Sequence, residues 1–206
     1  MNPSRHAQPS VAWTGAVAAA CASVLIVTDV VGSAVVPGYD PVGDSISDLA
    51  AGRLAWIQDA GLVTFAIGLA ALAWGLSRIA DGRAWLAGVL CLALVALDVA
   101  TIAVHDEYGD REPGGLVFHL ELVYALGFLF ALTTLLLAPG LYRASRAWGR
   151  FDAGVCAAWI VLAPIFFFVP TRWDGLYERA IAAIVLAWTF GMAWFLARRR
   201  RTVSLT

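Results

Sequence analysis

Residues 84–104 read AWLAGVLCLALVALDVATIAV, an apolar run interrupted by a single charge, Asp98. At about 1.5 Å of rise per residue, a helix of that length spans roughly the 30 Å hydrocarbon core of a bilayer. Five further stretches meet the same test: 12–36, 56–76, 116–138, 152–169 and 177–197. Between them lie turn-forming clusters, Pro37-Gly38-Tyr39-Asp40-Pro41, Asp81-Gly82-Arg83, Pro113-Gly114-Gly115 and Pro139-Gly140. Pro164, inside the fifth stretch, is expected to kink it or to free a carbonyl for another partner. The expected fold is all-α, a polytopic integral membrane protein whose six transmembrane helices form one bundle and a single membrane domain.

Composition points the same way. Of 206 residues, 61% are hydrophobic and 14% charged, against roughly 45–50% and 25% in a soluble domain. That leaves too little polar surface to keep the chain in water, which excludes a soluble enzyme and a disordered protein. A formal net charge of −1 supplies no basic field for nucleic acid. Cys21, Cys91 and Cys156 lie in separate apolar runs without CxxC pairing and read as small buried residues. All 14 basic residues are arginine, which fits a GC-rich bacterial genome. Ala18-Ala19-Ala20-Cys21 resembles a lipoprotein cleavage site, but hydrophobicity continues to Val36, so the first span is read as an uncleaved helix.

The arginines set the expected orientation. Placing the N-terminus in the cytoplasm puts Arg5, Arg78, Arg83, Arg143, Arg146, Arg150 and the Arg198–Arg201 run on the inner side, with Asp81 and Asp152. The outer loops then hold only Arg53, Arg111, Arg172 and Arg179. This positive-inside bias predicts a cell inner or plasma membrane protein with both termini cytoplasmic.

Four carboxylates, Asp29, Asp59, Asp98 and Glu121, fall within or just inside spans, where each would cost roughly 2.5–3.5 kcal/mol at a helix centre. Counting from the loops puts Asp29 and Asp98 about 10–12 Å below the outer boundary, with Asp59 and Glu121 shallower on the same side. The pattern suggests a polar cavity opening outward. Asp98, Thr101 and His105 share a helical face and are expected to line one wall. His119 and Glu121 lie roughly 200° apart around a helix and should not converge. Asp29 shares a face with Ser33.

The outer loops form a second polar layer. In the 40–49 segment, Ser45 or Ser47 is expected to cap a short helix, a reading preferred over a serine nucleophile. Arg179 opens the last span, where a cation meets the positive end of the helix dipole, so it should answer a carboxylate or an anionic headgroup. His105, Asp106 and His119 are acceptable metal ligands that Asp98 or Glu121 could complete, but no HExxH or other compact pair is present. Two ordinary hydrogen-bonded histidines are the preferred reading. No cofactor is expected, and a divalent metal is the minority alternative.

Tyr39-Asp40-Pro41 followed by Ser47-Asp48-Leu49, then Asp106 and His119, then Gly175-Leu176-Tyr177-Glu178-Arg179 with Trp188 downstream, recur in a recognisable order. In these features the chain resembles an uncharacterised family of bacterial and archaeal six-helix membrane proteins, the domain of unknown function 998. Where such families often show Phe-Pro before the loop aspartate, this chain has Val104-His105. The resemblance implies an architecture and no reaction.

The functional expectation is a membrane-embedded enzyme acting on a lipid or isoprenoid-like substrate, by hydrolysis or by proton-initiated cyclisation. Asp106 and His119 would position or activate the reacting group, and Asp98 or Glu121 would serve as acid or base. Asp29, Ser47, Asp48 and Arg179 are the candidate substrate-binding residues. The alternatives are a proton-coupled carrier of a small lipophilic compound and a non-catalytic subunit of an envelope complex. Expected partners are membrane lipids and a lipophilic small molecule, with no nucleic acid.

Overall fold

The computed structural model describes residues 11–105 and 119–198. Six long helices cross the bundle: α1 Ala12–Val35, α2 Trp56–Ser77, α3 Gly82–Ile102, α4 His119–Ala144, α5 Arg146–Leu162 and α6 Asp174–Arg198. All six spans, α5 being continued by a 3-10 segment, are long and apolar enough to cross a membrane, and no strand occurs among the described residues. The chain is a multi-pass, all-α membrane protein. Successive helices pack side by side and α6 returns against α1, closing a ring whose slightest seam lies between α5 and α6. Large apolar side chains such as Val30, Leu90 and Leu97 point outward and stay exposed, as a lipid-facing surface requires.

Side-chain packing is densest toward one end of the bundle, where α1 begins and α6 ends. Leu69, Leu72 and Leu76 of α2, Leu92 of α3, Leu137 and Leu141 of α4, and Met192 and Leu196 of α6 are all fully buried there. Phe130 stands edge-on to both Trp159 and Trp188, with ring centroids 4.9 and 5.5 Å apart, the arrangement aromatic quadrupoles favour. Buried Thr133, Thr134 and Thr189 donate to carbonyls of their own helices, so they carry no unmet polarity into the core.

Around the junction of the fourth and fifth helices the structure differs from the sequence expectation. Pro139-Gly140 does not break the fourth helix, which runs on to Ala144. Proline is tolerated inside a membrane helix, and Gly140 is needed because a side chain there would collide with the ring of Trp85. The break falls instead at Ser145, an extended residue whose side chain accepts from Ala147 N and Trp148 N at 3.1 and 3.4 Å. The fifth helix therefore starts at Arg146, ahead of the expected 152. Asp152 consequently lies in the second turn of α5, not on an inner surface segment. It is fully buried and accepts from Trp188 Nε1 at 2.8 Å.

Loss of the α5 cap in Ser145→Ala is expected to cost about 1 kcal/mol of stability, seen as a lower unfolding midpoint of the detergent-solubilised protein. Pro164 acts as expected on the other end of this span. The α-helix ends at Leu162 and continues as a 3-10 segment, Ala163–Phe168, none of it buried. At the changeover the Leu162 carbonyl accepts from the Tyr177 hydroxyl at 3.0 Å.

Candidate functional site

The connection from α1 to α2 is built by short acidic side chains closing on nearby backbone. Gly38 takes a positive φ of 79°, a conformation that disfavours a side chain. Asp40 Oδ1 accepts from Val42 N at 3.1 Å, and Asp44 Oδ2 accepts from Asp40 N at 2.7 Å. Asp48 Oδ2 accepts from both Ser45 N and Ser45 Oγ, at 2.7 and 2.8 Å, while Ser45 Oγ accepts from Asp48 N at 3.1 Å. This reciprocal pair starts the 3-10 turn Ser47–Ala50. Ser45 is thus the capping serine. The Ser47 hydroxyl turns away to His119 Nε2, 3.2 Å distant, at the start of α4. The candidate binding residue Asp48 is engaged in the cap.

This loop is fastened to α6 and α1 by Arg179. Its Nε and Nη2 donate to the two carboxylate oxygens of Asp29 at 3.1 and 2.9 Å. Nη2 also reaches Ser33 Oγ at 3.2 Å and Tyr39 OH at 2.7 Å, and Nη1 donates to the carbonyls of Pro41 and Gly175 at 3.0 and 3.1 Å. Of the two partners expected for Arg179, a carboxylate or an anionic headgroup, the structure supplies the carboxylate of Asp29. Next to this clamp, Glu178 accepts from Ile46 N at 2.6 Å and Leu176 N donates to Val42 O at 3.1 Å.

Gly175 permits the close approach. A Cβ at this position would run into the carbonyls of Asp44 and Pro41, both backbone atoms. Gly175→Ala is expected to push the 41–45 segment off α6 and lower stability by roughly 1–3 kcal/mol. A thermal midpoint equal to wild type would show that the loop docks less tightly.

Tyr39 donates from its hydroxyl to the Ser45 and Asp44 carbonyls at 2.7 and 3.1 Å. Burial pushes its phenol above the ordinary value, outweighing the neighbouring guanidinium, which pulls it down. The folded state then keeps this proton where the unfolded chain has lost it. Its contribution to stability is complete below the ordinary phenol value of about 10 and disappears as pH rises through the raised value. Tyr39→Phe should flatten that alkaline loss while lowering stability at neutral pH, read from denaturation curves between about pH 8 and pH 11.

Beneath the loop, between the helices, lies a cavity of about 790 Å³. Its polar lining, Asp29, Ser47, Gln58, His105, His119, Glu178 and Arg179, belongs to the loop end. The remaining wall is aliphatic and aromatic, with Leu62, Phe65, Val99, Tyr124, Trp159 and Val185 among its members. Phe128, Ile160, Phe167 and Phe168 line the cavity and are also exposed on the outer surface, so the wall is open sideways between α4 and the 3-10 segment after α5.

The other sequence candidates fall in different places. His105 lines the cavity and its Nδ1 lies 3.2 Å from Thr101 O. Asp98 is buried on α3, yet it is not part of the cavity wall, although Val95 and Val99 on either side of it are. Thr101 donates to Leu97 O of its own helix at 2.9 Å, so the expected wall of Asp98, Thr101 and His105 is not formed as one surface. Glu121 is exposed and lines no part of the cavity; the roughly 200° separation from His119 turns it outward. Asp59 is half-buried in the first turn of α2, where a carboxylate suits the helix dipole. Asp106 lies outside the described residues. Among the described residues no group of three or more His, Cys, Asp or Glu side chains is placed to hold a metal.

Sequence reasoning missed Gln58. It is 1% exposed, lines the cavity, and its Oε1 is buried without a hydrogen-bond partner among the described residues. The available signal was helical phase: Gln58 shares the stripe of Leu62, Phe65 and Leu69, which faces inward. No curated protein and no solved structure matches the chain. A family model described as "Protein of unknown function (DUF998)" matches residues 17–195, from the first turns of α1 almost to the end of α6, and the chain belongs to that family.

Proposed function

We propose that this protein is a membrane enzyme that hydrolyses an acyl bond in a lipid, with Ser47 as nucleophile and His119 as its base. The observation that carries the reading is the 3.2 Å separation of Ser47 Oγ and His119 Nε2 at the polar end of a lipid-sized apolar cavity. A hydroxyl is a weak nucleophile until an adjacent base takes its proton. His119 Nε2 accepts that proton as Ser47 Oγ attacks the acyl carbon, then returns it to the departing alcohol or amine. Water, deprotonated by the same nitrogen, cleaves the acyl-serine and restores the hydroxyl. The sideways opening lets a substrate arrive from the bilayer with its chain still in an apolar medium.

Cyclisation of an olefin is less well supported, since Asp98 stands outside the cavity wall and Glu121 is exposed. The arginine distribution supports a bacterial cytoplasmic membrane, with the loop end facing outward and both termini inside. One observation favours a second reading. Asp98 and Asp152 each bury a carboxylate oxygen without a partner among the described residues, as the proton sites of a proton-coupled carrier would. Proteoliposome uptake of lipophilic compounds, identical with and without a pH gradient, would remove that reading.

The hydrolytic reading is tested with a fluorophosphonate probe on the purified protein. Covalent labelling should map to the peptide containing Ser47 and vanish in His119→Ala. Absence of labelling in a folded wild-type protein would overturn it.

A further inference from the structure

We infer that the cavity accepts an acyl lipid with an uncharged, hydroxyl-bearing head, held by Gln58, and discriminates against its phosphorylated counterpart. The inference rests on the lipid-binding part of the reading above and not on the chemistry at Ser47. A guanidinium has five N–H donors. Those of Arg179, the cation in the described cavity lining, make six contacts, all to groups of this chain. Asp29 holds two of the donors in a paired geometry, so the positive charge is also neutralised locally. A phosphate placed here would lose its water and find no unoccupied guanidinium N–H on Arg179.

Gln58 supplies the complementary half of the argument. A carboxamide oxygen buried without a partner is costly unless a ligand completes it. Gln58 Oε1 is such an atom, carried by a cavity-lining side chain that is 1% exposed. As an acceptor it calls for an O–H or N–H from the ligand. His119 Nδ1 is likewise buried with no partner among the described residues. An apolar cavity of about 790 Å³ with these two unmatched atoms and an occupied cation suits a monoacylglycerol-like molecule better than any lysophospholipid.

The test uses 1-oleoylglycerol and 1-oleoylglycerol 3-phosphate, which differ only in the phosphate, on full-length Ser47→Ala protein in detergent. Binding is followed by native mass spectrometry. 1-Oleoylglycerol should bind at least about tenfold more tightly than its phosphate, and adding Gln58→Leu should weaken it by about tenfold. Methyl oleate, which has no hydroxyl, should bind the two proteins alike. Equal or tighter binding of the phosphate overturns the inference, as does unchanged 1-oleoylglycerol affinity in a folded Gln58→Leu protein. If Gln58→Leu does not fold, the comparison of the two lipids on Ser47→Ala decides alone. Selective binding without hydrolysis by wild type would keep this inference and sink the serine mechanism. Equal binding of both lipids with Ser47-dependent hydrolysis would do the reverse.

Discussion

Arg179→Met is expected to lower the stability of the solubilised protein by roughly 3 kcal/mol, read as a fall in the unfolding midpoint. Methionine keeps the volume of the aliphatic stem but removes every donor of the clamp. The Asp29 carboxylate, with its side chain 21% exposed, is then left largely desolvated and without its counterion. The loss belongs at the lower end of the range for broken buried pairs because both partners keep some solvent contact, Arg179 at 20%. Adding Asp29→Leu should recover most of the deficit, since an apolar pair replaces a stranded charge. If the double variant is as unstable as the sum of the two single variants, the ion pair is not what couples α1 to α6. Loop anchoring should fail together with stability, because the Pro41 carbonyl and the Tyr39 hydroxyl lose the same partner.

The second large effect concerns turnover. Ser47→Ala should reduce release of fatty acid from an acylglycerol in liposomes by at least about 10³-fold, and His119→Ala by a similar factor. The double variant should be no worse than either single one, because a nucleophile without its base and a base without its nucleophile fail at the same step. Neither residue belongs to the Arg179 clamp or to the Ser45–Asp48 cap, so thermal midpoints should remain near wild type. Multiplicative losses in the double variant would mean that the two side chains act independently.

The membrane spans were legible because lipid leaves so little choice: a spanning helix needs about 20 apolar residues and cannot hide a polar run. Arg179 was legible as a residue in need of an anionic partner, a carboxylate or a headgroup, because its position on a helix is electrostatically poor. Pro139-Gly140 misled because the rule that proline ends a helix is learnt from water-soluble chains. Asp152 was misplaced for a related reason: the arginines that precede it resemble a surface loop, and only the early start of α5, at Arg146 after the Ser145 cap, reveals that the acid points inward. Ser47 and His119 are 72 residues apart, and no local pattern joins them. Their meeting depends on how α4 is rotated and on Ser45 taking the capping role. Gln58 has an inward helical phase, but its orphaned oxygen becomes visible only once the neighbouring helices are in place.

The clamp also has a consequence in time. Asp29 and Arg179 are separated by 150 positions, so the first transmembrane helix waits for the last before its acid is matched. During synthesis at the ribosome, Ser47 is made early, but the loop that carries it lacks its Arg179 clamp until α6 has inserted. A nascent chain halted before residue 174 would hold the serine and the histidine without the Arg179 clamp on the loop. The clamp is therefore completed only in chains that have made α6.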